Sequence, residues 1–167
     1  RYDTRAAQPA LVALGIGTAE VLRSWGTEVV AVAGHSVGEL AAAAFAGVYT
    51  PVEAVGLALA RAEVMHRLAK PGGMLAVPAG ESAVTAVLAP WADRVSVAAI
   101  NSPDQTVISG DPAALAEAGS ALADRGGRPS VVPLEYGFHS PSMDPALDAI
   151  EELFVGVPAR AARLPVV

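Results

Sequence analysis

Val29-Val30-Ala31-Val32-Ala33-Gly34-His35-Ser36-Val37-Gly38-Glu39 is the stretch on which the fold turns. Its first half is a short apolar run of strand length, which predicts a strand buried on both faces, as in a parallel sheet. Its second half holds Gly34-x-Ser36-x-Gly38 and leads into a helix predicted from Val37 to about Ala46. A serine between two glycines at a strand-to-helix turn has the sequence form of a nucleophile elbow. Such a turn holds the serine in a cramped backbone conformation, and a Cβ at either flanking glycine is expected to clash. Ser36 Oγ is then presented over the helix N-terminus. The Val37 N–H points to where an oxyanion forms when Ser36 attacks a carbonyl. The alternative is a tight Gly-rich turn with an incidental serine.

Working outward, the periodicity keeps alternating between helix and strand, which predicts an α/β fold. Upstream, Pro9 suits the first position of a helix in which Leu11, Leu14, Val21, Leu22 and Trp25 recur at helical spacing and which Gly26 ends. Downstream, Thr50-Pro51-Val52-Glu53 reads as a capping box with proline just inside the start, opening a helix to about Leu68. Strands are then predicted over Met74–Val77, Val95–Ile100, Thr106–Ser109 and Ser130–Leu134, with helices over Glu81–Leu88 and Pro112–Asp124 and a turn at Asn101–Asp104. That β-α-β-β-α-β order is the split-βαβ or ferredoxin-like arrangement. Pro71-Gly72-Gly73 and Gly126-Gly127-Arg128-Pro129 bracket it like hinges, so residues 71–130 read as an insert between core segments 1–70 and 131–167. A last helix is expected from Asp144, as N-cap, to Phe154, and Leu164–Val167 reads as the beginning of a strand.

Composition removes several function classes. The chain of 167 residues carries a formal charge of −6, where a nucleic-acid partner would call for a basic patch. It has no cysteine, hence no disulfide, no thiol nucleophile and no cysteine-bound metal. No apolar run approaches a membrane span, and Arg1-Tyr-Asp-Thr-Arg has no export layout, so a soluble cytoplasmic protein is expected.

A serine nucleophile needs a base, and the sequence offers three histidines. His35 adjoins Ser36, and neighbours in an elbow point in different directions. His66 lies about 140° round its helix from Arg61 at ~100° per residue. His139 sits in the loop Tyr136-Gly137-Phe138-His139-Ser140-Pro141 just after a strand, where sites in α/β folds gather. Elimination leaves His139. Arg61 falls mid-helix among Val55, Leu57, Leu59, Val64 and Leu68, where an unpaired guanidinium is costly. It either snorkels to solvent or pairs with Glu53 or Glu63, which the residues alone favour, or it grips a substrate carboxylate through two parallel hydrogen bonds. Asn101, before Ser102-Pro103, is either a turn former or a site residue.

Gln8-Pro9-Ala10-Leu11, Gly34-His35-Ser36-Val37-Gly38-Glu39, Arg61 through Met65, Asn101-Ser102-Pro103 and Phe138-His139-Ser140-Pro141 through Met143-Asp144-Pro145 occur in one order and spacing. Together they resemble the acyltransferase domains of type I polyketide synthases, relatives of malonyl-CoA:acyl-carrier-protein transacylase. The resemblance implies an α/β-hydrolase-like core with a ferredoxin-like insert. It also implies ping-pong transfer of a malonyl-class unit from coenzyme A to the phosphopantetheine thiol of an acyl carrier protein, with no bound cofactor or metal and with neighbouring synthase domains as partners. Ser36 would be the nucleophile, His139 the base and the Val37 N–H an oxyanion donor. Arg61 would clamp the malonyl carboxylate. Gln8 and Asn101 would line or support the site, and His35 and Phe138 belong to the same substrate-binding set. A backbone carbonyl, in place of an acidic side chain, would orient the histidine.

Two departures stand out. Members of that family are longer at both ends and carry there a second oxyanion donor and the partner of the histidine, so this chain by itself is expected to be a partial domain and a weak catalyst. Tyr136-Gly137-Phe138-His139 also mixes the family's malonyl form, His-Ala-Phe-His, with its methylmalonyl form, Tyr-Ala-Ser-His. Val37 and Phe138 imply a malonyl preference, and Tyr136 points the other way. Two other functions compete. One is a serine esterase or thioesterase drawing its acid from Asp93, Asp104, Asp111 or Asp124, and the other is a truncated docking piece with idle motifs.

Overall fold

The computed structural model describes residues 3–167; Arg1 and Tyr2, part of the opening read above for export, lie outside the described residues. Helices α1 (Thr4–Ser24), α2 (Gly38–Phe45) and α3 (Pro51–Leu68) come first. They are followed by β1 (Gly73–Val77), α4 (Glu81–Leu88), β2 (Val95–Ser102), β3 (Gln105–Gly110), α5 (Pro112–Ala123) and β4 (Ser130–Val132). A 3₁₀ helix over Pro141–Ala146 leads into α6 (Leu147–Val155). Two compact units result. One is Leu68–Leu147, and the other joins the described residues up to Arg67 with Asp148–Val167. Residues 131–147, assigned from the sequence to the core segments, fall within the first of these.

The continuous unit is built on a four-stranded sheet of order β2-β3-β1-β4, antiparallel throughout. Its β-α-β-β-α-β sequence is the one the periodicity predicts. Leu75 of β1 faces Ile108 of β3 on one side and Val131 of β4 on the other. Val77, Ile108, Val84, Leu88, Leu115 and Leu122 close the core between the sheet and helices α4 and α5. Full burial of a Val or Ile side chain there stabilises by ~1.5–3 kcal/mol. Asp111 caps α5, its carboxylate accepting from the N–H groups of Ala113 and Ala114. One detail changes from the sequence reading: Asn101 and Ser102 continue β2, so the hairpin turn is Pro103-Asp104 alone.

In the other unit α1 starts earlier than Pro9, because Asp3 caps it through the Arg5 N–H, and Pro9 lies inside the helix. Its end is as expected. Gly26 adopts φ +86°, and the Gly26 and Thr27 N–H groups donate back to Arg23 and Leu22, a Schellman closure. The apolar residues whose spacing announces α1 are not the ones it buries. Val12 and Ile16, with Thr4 and Gln8, face inward and pack with Leu40, Ala44, Leu57 and Ala58, whereas Leu11, Leu14, Leu22 and Trp25 are exposed. The helix is apolar on more than one side, so spacing alone does not choose the packed one.

The run Val29–Ala33 also departs from expectation. It forms a single parallel bridge, Val32 with Val166, and Val30 is 74% exposed. A strand buried on both faces needs a ladder on each side, and among the described residues only Pro165–Val167 supplies one. Asp144 likewise does not cap α6; it sits inside the 3₁₀ turn, which Ser140 caps.

The capping box of α3 is complete. Thr50 N–H donates to Glu53 Oε2 at 2.7 Å and Glu53 N–H to Thr50 Oγ1 at 3.2 Å. Arg160 then grips the same carboxylate through two bonds of 2.7 and 2.9 Å. The Arg160 guanidinium first, and the Thr50 groups next, hold the Glu53 carboxyl at about 2 against its ordinary 4.5. A carboxyl depressed on folding contributes stability that is present above pH 4.5 and lost as pH falls through about 2. The melting temperature of Glu53→Gln is therefore expected to lie below that of the parent at pH 6 and to converge on it near pH 2. A gap independent of pH would mean that the carboxylate charge is not what ties these segments.

Candidate active site

The elbow is entered from the Val32 bridge, where Val32 N–H donates to Pro165 O and Val167 N–H to Val32 O, both at 2.9 Å. Four residues later Ser36 adopts φ +52°, in the left-handed region that side-chain-bearing residues seldom visit. The chain then tightens into α2 through Gly38 N–H to His35 O, Glu39 N–H to Ser36 O and Leu40 N–H to Val37 O, at 2.9–3.2 Å. A Cβ on Gly34 would lie 2.3 Å from the Glu39 nitrogen and 2.4 Å from Glu39 Cα, both backbone atoms, so only glycine fits. Gly38 differs from the expectation, since a Cβ there meets nothing within 4 Å. The turn folds Gly34 back onto the helix start, while Gly38, already in the helix, points its Cα hydrogens into open space. Val37 occupies the N-cap of α2 with no side-chain cap, at the positive end of the helix dipole. His35 is exposed; Ser36 and Val37 are half-buried. A groove of about 460 Å³ beside the elbow is lined by His35, Leu11, Leu22, Val29 and Phe45, among others.

The structure joins Gln8 and Arg61. Arg61 Nη1 donates to Gln8 Oε1, while Gln8 Nε2 donates to Thr4 Oγ1 at 2.8 Å and lies 3.5 Å from the Met65 sulfur. Gln8 and Thr4 are both buried. The guanidinium, which can only donate, fixes which end of the Gln8 amide faces it, and the Thr4 hydroxyl accepts from the other end. Burial lowers the Arg61 pKa, and the charge of Glu39 works against that. Glu53 is not the arginine's partner, because its carboxylate is taken by Arg160.

His139 also has a left-handed backbone, φ +62°. Its loop is fastened within the Leu68–Leu147 unit. Ser109 Oγ donates to Phe138 O and Ser140 Oγ to Gly137 O, each at 2.6 Å. Pro71 bridges Tyr136. Gly72 lies under the loop so closely that a Cβ would come within 2.3 Å of the Gly137 nitrogen. The Phe138 ring is half-buried and leans on Tyr136, centroids 5.5 Å apart. The two residues that point to opposite substrate preferences therefore touch. Asn101 is exposed on β2 near the hairpin tip, in the unit that holds Phe138 and His139. Gln8, His35, Ser36, Val37 and Arg61 belong to the other unit.

Three of the four esterase carboxylates have local partners: Asp111 caps α5, Asp104 accepts from Ser102 Oγ, and Asp93 lies 3.7 Å from Arg94. Asp124 closes α5 through its backbone N–H. Sequence reasoning missed Thr4, Ser109 and Ser140. Ser109 bonds a partner 29 residues away that the fold alone brings near, whereas Thr4 lies four positions before Gln8 and Ser140 three after Gly137, spacings that a helix and a turn close locally. Among the described residues no group of three or more His, Cys, Asp or Glu could hold a metal ion. No described helix is long and apolar enough to cross a membrane.

Comparison with known proteins gives a consistent result. Residues 2–167 match the family described as acyl transferase domain. The chain is 41% identical over 157 residues to an erythronolide synthase of Saccharopolyspora erythraea, covering 94% of this chain and 4% of that one. It superposes with a TM-score of 0.93, at 40% identity, on the acyltransferase domain from the second module of the salinomycin polyketide synthase, covering 99% of this chain and 39% of that one. A malonyl-transacylase solved in complex with a type II polyketide-synthase acyl-carrier protein is 29% identical, with a TM-score of 0.88, over 99% of this chain and 56% of that one. The chain thus spans a small part of the curated synthase and well under two thirds of these solved structures.

Proposed function

This chain belongs to the acyl transferase domain family, and we propose from that premise that it loads a malonyl-class unit from coenzyme A onto Ser36 and passes it to the phosphopantetheine thiol of an acyl carrier protein. The observation that carries the reading is Ser36 at φ +52° directly before α2, behind a glycine that no other residue can replace. Ser36 Oγ attacks the thioester carbonyl and gives its proton to His139. The oxyanion faces the Val37 N–H at the positive end of α2. Collapse of the tetrahedral adduct breaks the C–S bond, and the departing thiolate takes the proton back from His139. The carrier thiol then repeats the sequence in reverse order of roles.

Arg61 holds the free carboxylate of the acyl group, and the buried Gln8, tied to Thr4 at its other end, aims the guanidinium. His35, Asn101 and Phe138 complete the substrate-binding set. The domain reading is an α/β-hydrolase-like core from residues 1–70 and 131–167, with a ferredoxin-like insert at 71–130. The antiparallel β2-β3-β1-β4 order supports the second part of that reading. The protein is read as cytoplasmic and free of bound cofactor, working beside other domains of a polyketide synthase.

Malonyl is preferred to methylmalonyl. Val37 is apolar and branched after the nucleophile, and the Phe138 ring, steadied by Tyr136, leaves little room for a branch at the α-carbon. One methyl in an apolar pocket discriminates by ~1–3 kcal/mol, or roughly 10–200-fold. The test is competition between the two coenzyme A esters on the full-length protein, read by mass spectrometry of the intact enzyme. A malonyl adduct in excess is expected, eroded in Phe138→Ser. Excess methylmalonyl adduct would reverse the assignment, ester hydrolysis without any adduct would make the protein an esterase, and neither would leave the motifs idle. In the same assay Arg61→Ala is expected to depress malonyl loading by about 10–150-fold, the equivalent of ~1.5–3 kcal/mol for hydrogen bonding to a charged group. Acetyl loading should be spared. Equal loss of both would make Arg61 structural.

A further inference from the structure

We infer that Ser109 is a positioning residue for His139, acting through the peptide that precedes it. The inference rests on the proposed reading of His139 as the base. His139 occupies the left-handed region at φ +62°, which a side-chain-bearing residue keeps only where its surroundings over-determine it. The carbonyl of Phe138 and the nitrogen of His139 belong to one rigid peptide plane. Whatever fixes that carbonyl therefore fixes the plane from which the φ of His139 is measured. Ser109 Oγ donates to the Phe138 oxygen at 2.6 Å, from 29 residues away in sequence.

Ser109 is well placed to act as an anchor. It is 0% exposed and lies on β3, an inner strand of the sheet, where it is registered with Met74 of β1 and Ser96 of β2. A hydroxyl in such a place is costly without a partner, and the Phe138 carbonyl is that partner. Ser140 Oγ holds the previous carbonyl, that of Gly137, but it also caps the 3₁₀ helix, accepting from Ser142 N–H. Removing Ser140 would disturb two things at once. Ser109 is the clean handle, because its hydroxyl bond reaches only the loop.

The experiment is a double-mutant cycle in the full-length protein, with the rate of acyl-enzyme formation as readout. A small misplacement of a catalytic group costs up to about 10²-fold, so Ser109→Ala is expected to slow acylation by roughly 10–100-fold at unchanged KM. In a His139→Ala background the same change should cost nothing further, since a group acting only through His139 has nothing left to position. Ser109→Cys keeps a γ atom in place but a larger one and only a weak donor, and it should lose rate as the alanine variant does. It also carries the test if alanine impairs folding. A loss of equal size in the His139→Ala background, or full activity in Ser109→Cys, overturns the positioning role while leaving His139 as base. Full activity in His139→Ala alone removes the base, and the positioning role with it.

Discussion

Alanine in place of Ser36 is expected to remove covalent acyl loading altogether, and alanine in place of His139 to slow it by about 10²–10⁴-fold, the range for loss of general-base help. The two effects differ because the roles differ. Without the Ser36 hydroxyl there is no atom to carry the acyl group, whereas without the imidazole the hydroxyl remains and water can accept its proton slowly. The backbone at Ser36, φ +52°, belongs to the turn, and the tight bonds from Gly38, Glu39 and Leu40 should hold it in the alanine variant. Loss of loading with an unchanged melting temperature is thus the expected pair of observations, from intact mass and thermal unfolding. Acyl label recovered on any other residue of the Ser36→Ala protein would sink the assignment of the nucleophile.

The second large effect is at Gly34. A methyl there must enter space held by the Glu39 nitrogen and Cα, 2.3 and 2.4 Å away. No side-chain rotation relieves a clash with backbone, so the elbow itself has to open. Strain of this kind costs ~1–3 kcal/mol in stability. The catalytic cost is larger, because opening the elbow turns the Val37 N–H away from the developing oxyanion, and loss of one such donor costs roughly 10²–10³-fold. Gly38→Ala is the control. Its Cβ meets nothing within 4 Å, and alanine is the better helix former by ~1 kcal/mol, so loading should stay near that of the parent. Parallel rate measurements on the two variants decide the matter. Equal behaviour would show that the motif's two glycines are not distinguished by the clash.

How far the sequence could be read depended on how local the determining physics was. The capping box at Thr50–Glu53 and the Gly26 helix stop are set by residues a few positions apart, and both bonds of the box are present. The β-α-β-β-α-β unit was legible for the same reason, each element being marked by its own period and turns. The choice of buried face on α1 was not. Leu11 and Leu14 announce the helix as strongly as Val12 and Ile16 do, and only contact with Leu40 and Leu57 selects the latter. At Val29–Ala33 a run of apolar residues marks a strand but says nothing about how many neighbours pair with it, and the described residues supply one bridge. In the candidate site, the family resemblance marked Gln8 and the apolar flanks marked Arg61, two residues whose hydrogen bond no spacing foretold. Ser109 carried no signal at all, being one serine in a strand until the Phe138 carbonyl is seen above it.

The clasp between Glu53 and Arg160 has a bearing on how the chain assembles. These residues are 107 positions apart, and the whole Leu68–Leu147 unit lies between them along the chain. Pairing across so long a segment requires the closure entropy of the entire intervening loop to be met before any contact rewards it. The sheet unit, whose strands are joined by much shorter links, faces no such delay. It is therefore expected to collapse first and to shorten the effective loop that remains. The bidentate clasp and the Val32–Val166 bridge are then expected as late fasteners, joining two pieces of one unit that lie far apart in sequence.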